Sequence, residues 1–142
     1  MRIILGADHG GFRYKEIVRE ALTTEDVEVI DVGAYEENPD DDFVDYAKEA
    51  VSKYAEGDKI VLFCRNGFGM NIVANRNKGV RCGIAFSKEA VVKGRTDDDI
   101  NCLSIPSDYV TEAELIEFVN AFLKTEFSAD PRYSRRINKI DI

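Results

Sequence analysis

Lys59-Ile60-Val61-Leu62-Phe63-Cys64-Arg65-Asn66-Gly67-Phe68-Gly69-Met70 is the stretch that decides the fold. A short apolar run stops at a polar turn with two glycines, and Met70-Asn71-Ile72-Val73-Ala74-Asn75 opens a helix. Strand, glycine turn and helix together make the start of a unit whose next strand lies parallel to the first. The alternation repeats on both sides. Upstream, Arg2 to Ala7 reads as a buried strand, and Phe12, Ile17, Val18, Ala21 and Leu22 then recur at helical spacing. Val27 to Val32 is a second strand, Gly33 to Asp42 a polar segment with Pro39, and Phe43 to about Tyr54 a helix. Downstream, Val80 to Phe86 is strand four, Ser87 to about Arg95 a helix, and Ile100 to Ile105 strand five. Thr111-x-x-Glu114 resembles a capping box and opens a helix ending near Thr125. Strands alternating with helices through short connections predict an α/β protein, a five-stranded parallel sheet covered on both faces.

The 142 residues fit one domain, spanning 1–142, and no repeat, linker or low-complexity tract divides them. At 44% hydrophobic the chain can bury a core, and at 32% charged it is well solvated outside it. No stretch approaches the roughly 20 apolar residues of a membrane helix, and MRIILGADHG lacks the pattern of a signal peptide. A net charge of −8 argues against general nucleic-acid binding. Cys64, Cys82 and Cys102 are odd in number and lack C-x-x-C spacing, which argues against a disulfide scaffold and suits a reducing cytoplasm. The tail, about 128–142, differs in sign. From Arg132 to Ile142, Arg132, Arg135, Arg136 and Lys139 face only Asp141, a net +3. It reads either as a solvated end or as an anion-binding element.

In an open parallel sheet, ligands bind beyond the carboxyl ends of the strands. Strand one ends in Asp8-His9-Gly10-Gly11, strand three in Cys64 and the glycine turn. Arg95-Thr96-Asp97-Asp98-Asp99-Ile100-Asn101 leads into strand five. Glycines in such a turn let the backbone approach a ligand and aim amides at it, and the next helix adds its positive end. An anion, or an oxygen gaining negative charge, is stabilised there. A dinucleotide fingerprint is excluded because position 72 is Ile72, and a P-loop because Gly-Lys-Ser/Thr is absent. A C-x5-R phosphatase would need Arg where Met70 stands, and a receiver domain an aspartate where Cys64 stands.

Cys64 reads either as a core cysteine or as a thiolate base whose pKa the turn and helix start would lower. His9, the only histidine, follows an aspartate at a strand end and precedes two glycines, which favours a functional role. Asp8 caps the next helix, contacts a ligand hydroxyl, or does both. Asp40-Asp41-Asp42 reads as a solvated loop, and with one histidine and no spaced carboxylates no metal site is expected.

Taken together these residues resemble the ribose-5-phosphate isomerase B / galactose-6-phosphate isomerase family. The resemblance rests on Asp8-His9-Gly10-Gly11-Phe12 with Lys15, Asp31-Val32-Gly33, and Cys64 to Met70. It continues through Ala74-Asn75-Arg76, Gly79-Val80-Arg81, Asp99-Ile100-Asn101 and the stretch from Arg132 to Ile140. It implies a cofactor-free, three-layer α/β/α Rossmann-like fold with strand order 2-1-3-5-4. It also implies a homodimer, or a dimer of dimers, with active sites built from both chains. The implied reaction interconverts an aldose phosphate and a ketose phosphate through an enediolate. Cys64 matches the family's base, and Asp8 the residue that handles a sugar hydroxyl. The turn at Gly67, Phe68 and Gly69 matches the oxyanion site. His9, Arg132 and Arg136 match groups near the phosphate, where guanidinium forks suit a dianion. Asn101 and Asp98 match groups given by the partner chain.

The chain also departs from the family pattern. Arg65-Asn66 replaces the common Gly-Thr. Asn66 can still donate a hydrogen bond, and Arg65 adds charge that would lower the Cys64 pKa further. Asp97 stands where the family has a ring-opening histidine, so ring opening uses Asp97, another group, or substrate already open in solution. Phe43-Val44 replaces Tyr-Pro, and Asp108 replaces an arginine. Ribose 5-phosphate is the leading substrate. The alternatives are a hexose phosphate (galactose 6-phosphate or allose 6-phosphate) and a non-catalytic sugar-phosphate sensor.

Overall fold

The computed structural model describes residues 1–141. Its strands are β1 (Arg2–Ala7), β2 (Glu28–Asp31), β3 (Lys59–Cys64), β4 (Cys82–Ile84) and β5 (Cys102–Pro106). Its helices are α1 (Phe12–Leu22), α2 (Phe43–Lys53), α3 (Phe68–Asn75), α4 (Lys88–Asp98), α5 (Glu112–Lys124) and α6 (Pro131–Ile137). A 3₁₀ turn spans Ser107–Tyr109. All strand pairs are parallel, in the order β2-β1-β3-β5-β4. The three-layer α/β/α architecture is as the sequence implies. None of the described helices is long and apolar enough to cross a membrane.

Alternation along the strands decides which face each side chain meets. Ile3, Leu5, Val61, Phe63, Leu103 and Ile105 point to the layer of α1, α4 and α5, where Val18, Val91, Leu115 and Phe122 cover them. Ile4, Ile60, Leu62, Cys64 and Cys102 point the other way, onto Ala47 and Ala50 of α2 and Met70 and Ala74 of α3. The strands are apolar on both faces, as a doubly covered sheet requires.

Three boundaries differ from the sequence reading. Strand four is only Cys82–Ile84, because it is an edge strand that pairs with β5 alone. Helix α4 continues to Asp98, beyond the expected end near Arg95. Arg95 is the cause: it is buried and clamps the helix end through Ile100 O at 2.5 Å, Asp99 Oδ1 at 2.8 Å and Thr125 O at 3.0 Å. The tail, to which the sequence reading assigned no element, holds α6, which Asp130 caps by accepting from the Arg132 amide at 2.8 Å and Pro131 begins.

Lys15 and Asp31, part of the family-like pattern, are structural. The Lys15 side chain has 0% exposure, and its ammonium donates to both Asp31 oxygens at 2.8 and 2.7 Å. Asp31 also accepts from the Gly33 amide at 2.9 Å, so the pair fixes the start of the loop after β2.

Candidate active site

The order β2-β1-β3 means that the chain leaves β1 in one direction and returns to the sheet on its other side. The crevice of such a switch point lies at the carboxyl ends of β1 and β3. Register places Ala7 opposite Phe63, and the Asp8 amide donates to Phe63 O at 3.3 Å. Asp8 and Cys64 are therefore lateral neighbours, one strand spacing apart on the same face.

Both side chains are nearly covered, Asp8 at 7% and Cys64 at 5% exposure. Asp8 Oδ1 accepts from the Gly11 amide at 3.0 Å, which starts α1. Gly11 has to be glycine, since a Cβ there would stand 2.1 Å from Phe63 O. Gly67 adopts φ 79° as it turns the chain into α3, and its carbonyl accepts from Ser104 Oγ at 2.7 Å. The turn wraps around the sulfur, so the backbone amides of Met70, Gly67 and Asn66 lie near enough to favour its thiolate. Phe68's amide donates to Asn66 Oδ1 at 3.0 Å, leaving the Asn66 NH2 group facing outward.

The expected low Cys64 pKa does not hold. Burial pushes the thiol above its usual value, and the Asp8 carboxylate pushes the same way against the three amides. Arg65 does not contribute as anticipated: its guanidinium is 61% exposed and pairs with Asp108 at 3.4 Å. Asp8 is itself raised, chiefly by burial, with hydrogen bonding and His9 acting the other way.

Asp41 is the residue that sequence reasoning missed. Instead of standing in solvent between Asp40 and Asp42, its side chain is only 7% exposed. Its Oδ1 lies 2.7 Å from His9 Nδ1 and 3.3 Å from the His9 amide nitrogen. Asp8, His9 and Asp41 each offer a ligand atom within 4.8 Å of the others, a spacing that a metal ion could use. The sequence reading found no such set because Asp41 lies 32 positions from His9. Beside this trio opens a cleft of about 500 Å³, with His9, Arg13, Tyr14, Arg65, Ser107 and Asp108 in its wall.

The remaining predicted residues lie elsewhere. Helix α4 runs back against the strands, so its last residues, Asp97 and Asp98, sit at the amino edge of the sheet, opposite Cys64. Asp97 accepts from Thr96 Oγ1 at 2.8 Å, while Asp98 is exposed. Asn101 is buried at that edge with its amide fully used: it donates to Tyr54 Oη at 2.9 Å and Gly79 O at 2.8 Å and accepts from the Arg81 amide at 2.8 Å. Helix α6 packs on α4, and Ser128 N donates to Thr96 O at 3.2 Å. Arg132 and Arg136 are therefore on the same side as Asp97 and Asp98, both exposed, with Arg132 paired to Asp130 at 2.9 Å. One chain brings Asp8, His9, Cys64, Asn66, Gly67, Phe68 and Gly69 together and holds Asp97, Asp98, Asn101, Arg132 and Arg136 apart from them.

Comparison with known proteins places the fold in a family. Residues 3–140 match the family model described as Ribose/Galactose Isomerase. A probable ribose-5-phosphate isomerase B of Mycoplasma genitalium is 35% identical over 97% of this chain and 92% of its own length. The structure of a ribose-5-phosphate isomerase B from that organism, with bound ribulose 5-phosphate, superposes with a TM-score of 0.94 at 34% identity, covering 98% of this chain and 93% of that one. A Thermotoga maritima ribose 5-phosphate isomerase gives 0.92 at 34% identity, covering 99% and 97%. With a family match that runs from β1 into the basic tail, this chain belongs to the ribose/galactose isomerase family.

Proposed function

We propose that this chain is an aldose–ketose isomerase that converts ribose 5-phosphate to ribulose 5-phosphate through an enediolate, with Cys64 as the base. The observation that carries the reading is the lateral pairing of Asp8 and Cys64 under a glycine turn, in a fold that superposes on a ribulose-5-phosphate complex over nearly its whole length. The Cys64 thiolate takes the C2 proton of the open-chain aldose. The electron pair moves through C1 onto the carbonyl oxygen, and the thiol then returns the proton to C1. The hydroxyl proton leaves O2 and reaches O1 by way of Asp8, whose raised pKa suits a group that both accepts and gives a proton. The Asn66 NH2 group and the Gly69 amide, in the first turn of α3, hold the developing oxyanion.

His9, Arg132 and Arg136 bind the phosphate. Because Arg132 and Arg136 stand at the opposite edge with Asp97 and Asp98, a second copy of the chain supplies them, and the working unit is a homodimer with two composite sites.

The test is incubation with ribose 5-phosphate, allose 6-phosphate and galactose 6-phosphate in deuterated water, following ketose formation and deuterium at C2 by NMR. Cysteine-dependent conversion of ribose 5-phosphate is the expected result. Conversion of a hexose phosphate alone would keep the chemistry and change the substrate. Binding without proton exchange would make the protein a sensor.

A further inference from the structure

His9 and Asp41 form a contact that the isomerase reading does not use. The His9 ring is 24% exposed and lies in the cleft wall, with Asp41 behind it, 7% exposed. The Nδ1 to Oδ1 distance is 2.7 Å, and the same oxygen takes the His9 backbone amide at 3.3 Å. One carboxylate oxygen thus holds both the backbone and the ring of the only histidine. The other, Oδ2, is buried and makes no well-formed hydrogen bond among the described residues, while the Tyr46 phenol, whose pKa burial and this carboxylate raise, faces the Asp41 side chain. A buried carboxylate with an ill-satisfied oxygen costs stability, so the grip on His9 is the feature of Asp41 that calls for a reason.

We propose that Asp41 is a positioning residue of the active site: it accepts the Nδ1 proton of His9, locks the ring in the Nδ1–H tautomer and presents Nε2 to the cleft. A carboxylate only accepts, so the proton in this hydrogen bond belongs to Nδ1. Free neutral imidazole prefers its proton on the other nitrogen, so this tautomer needs the partner to hold it. A ring fixed at Nδ1 and at its backbone keeps one direction for Nε2. Binding then loses no entropy in turning the ring. A bare Nε2 and an unprotonated phosphate oxygen both only accept, so their contact needs a proton between them, which the monoanion of the phosphate ester brings to Nε2 while Asp41 keeps the Nδ1 proton. That Nε2 meets the substrate phosphate rests on the sugar-phosphate reading above, while the tautomer lock does not.

One histidine makes the test clean. In protein labelled with nitrogen-15 at histidine, two ring resonances report the tautomer while the ring is neutral. The unaltered protein should show protonated Nδ1 and bare Nε2. Asp41→Ala should move the proton to Nε2, whereas Asp41→Asn, which keeps an acceptor oxygen, should retain the Nδ1–H form. With ribose 5-phosphate, Asp41→Ala should raise KM roughly three- to tenfold with little change in kcat, the scale of one misdirected hydrogen bond, and Asp41→Asn should recover most of it.

Protonated Nε2 in the unaltered protein overturns the proposal without any variant, should Asp41→Ala fail to fold. Unchanged ring resonances in Asp41→Ala overturn it equally. A protein inactive on every sugar phosphate would sink the isomerase reading, and the two nitrogen resonances would still decide the role of Asp41.

Discussion

The two edges of the sheet differ in how their polar groups are held. At the carboxyl edge, Asp8 and the Asp41 side chain are nearly covered, and they touch a backbone amide and the only histidine of the chain. Three backbone amides of the turn act on the Cys64 thiol to favour its thiolate, against burial and Asp8. At the amino edge Asp98, Arg132 and Arg136 are exposed, and among the described residues Arg132 forms its ion pair with Asp130, two residues away. The buried edge is preorganised for proton transfer, and the guanidinium groups beside it, Arg13 and Arg65, are paired with Glu112 and Asp108. The exposed edge has the guanidinium groups of the tail and no thiol. Each carries what the other lacks, which is the structural argument for a site built between two copies.

The sharpest way to break that argument is a mixing experiment. Cys64→Ser should lower turnover by roughly 10² or more while leaving binding largely intact. Arg136→Ala should weaken phosphate binding. If the edges meet across a dimer, exchanging subunits between these two variants restores about a quarter of wild-type activity, because half of the dimers hold one intact site. A mixture no more active than its components would place both residues in a single-chain site.

Lys15→Met tests whether a motif residue at the carboxyl edge is structural. It leaves the Asp31 carboxylate without its buried cation and should cost about 3 kcal/mol in denaturant unfolding. Substrate affinity of the folded fraction should be unchanged. Altered KM with intact stability would move Lys15 into the site.

Asp8→Asn sharpens the electrostatics of the buried edge. Losing the neighbouring anion should lower the Cys64 pKa, so alkylation of Cys64 at neutral pH speeds up, read against a Cys64→Ser control. Stability has a definite sign. The folded state binds the Asp8 proton more tightly than the unfolded state, so stability falls as pH rises through the raised pKa. Asp8→Asn should therefore melt higher than wild type at neutral pH, and the gap should close in acid.

The smallest effect belongs to the exposed edge. Arg132 holds the Asp130 carboxyl down to about 2, so this pair stabilises above the ordinary carboxylate range and fades as pH falls towards that value. Asp130→Asn should change the melting temperature only slightly, less in high salt, because the pair is in solvent. A large, salt-insensitive drop would mean that α6 depends on it.

Local pattern alone determined much of this protein. The strands Arg2–Ala7 and Lys59–Cys64 and the capping box at Thr111 follow from periodicity and short-range hydrogen bonding, both written in neighbouring residues. The same locality marked Asp8, Cys64 and the glycine turn, since a strand end and a turn are read within a few positions. What required tertiary structure was every effect that acts between distant segments or through burial. Asp41 joined His9 across 32 positions, which made a supposed solvent loop part of the site. Cys64 rose in pKa instead of falling, because desolvation depends on the whole covering layer and outweighs the three amides that the turn provides. The split of the predicted site into two edges followed from the direction of α4, which parallel topology sets and which no single motif contains.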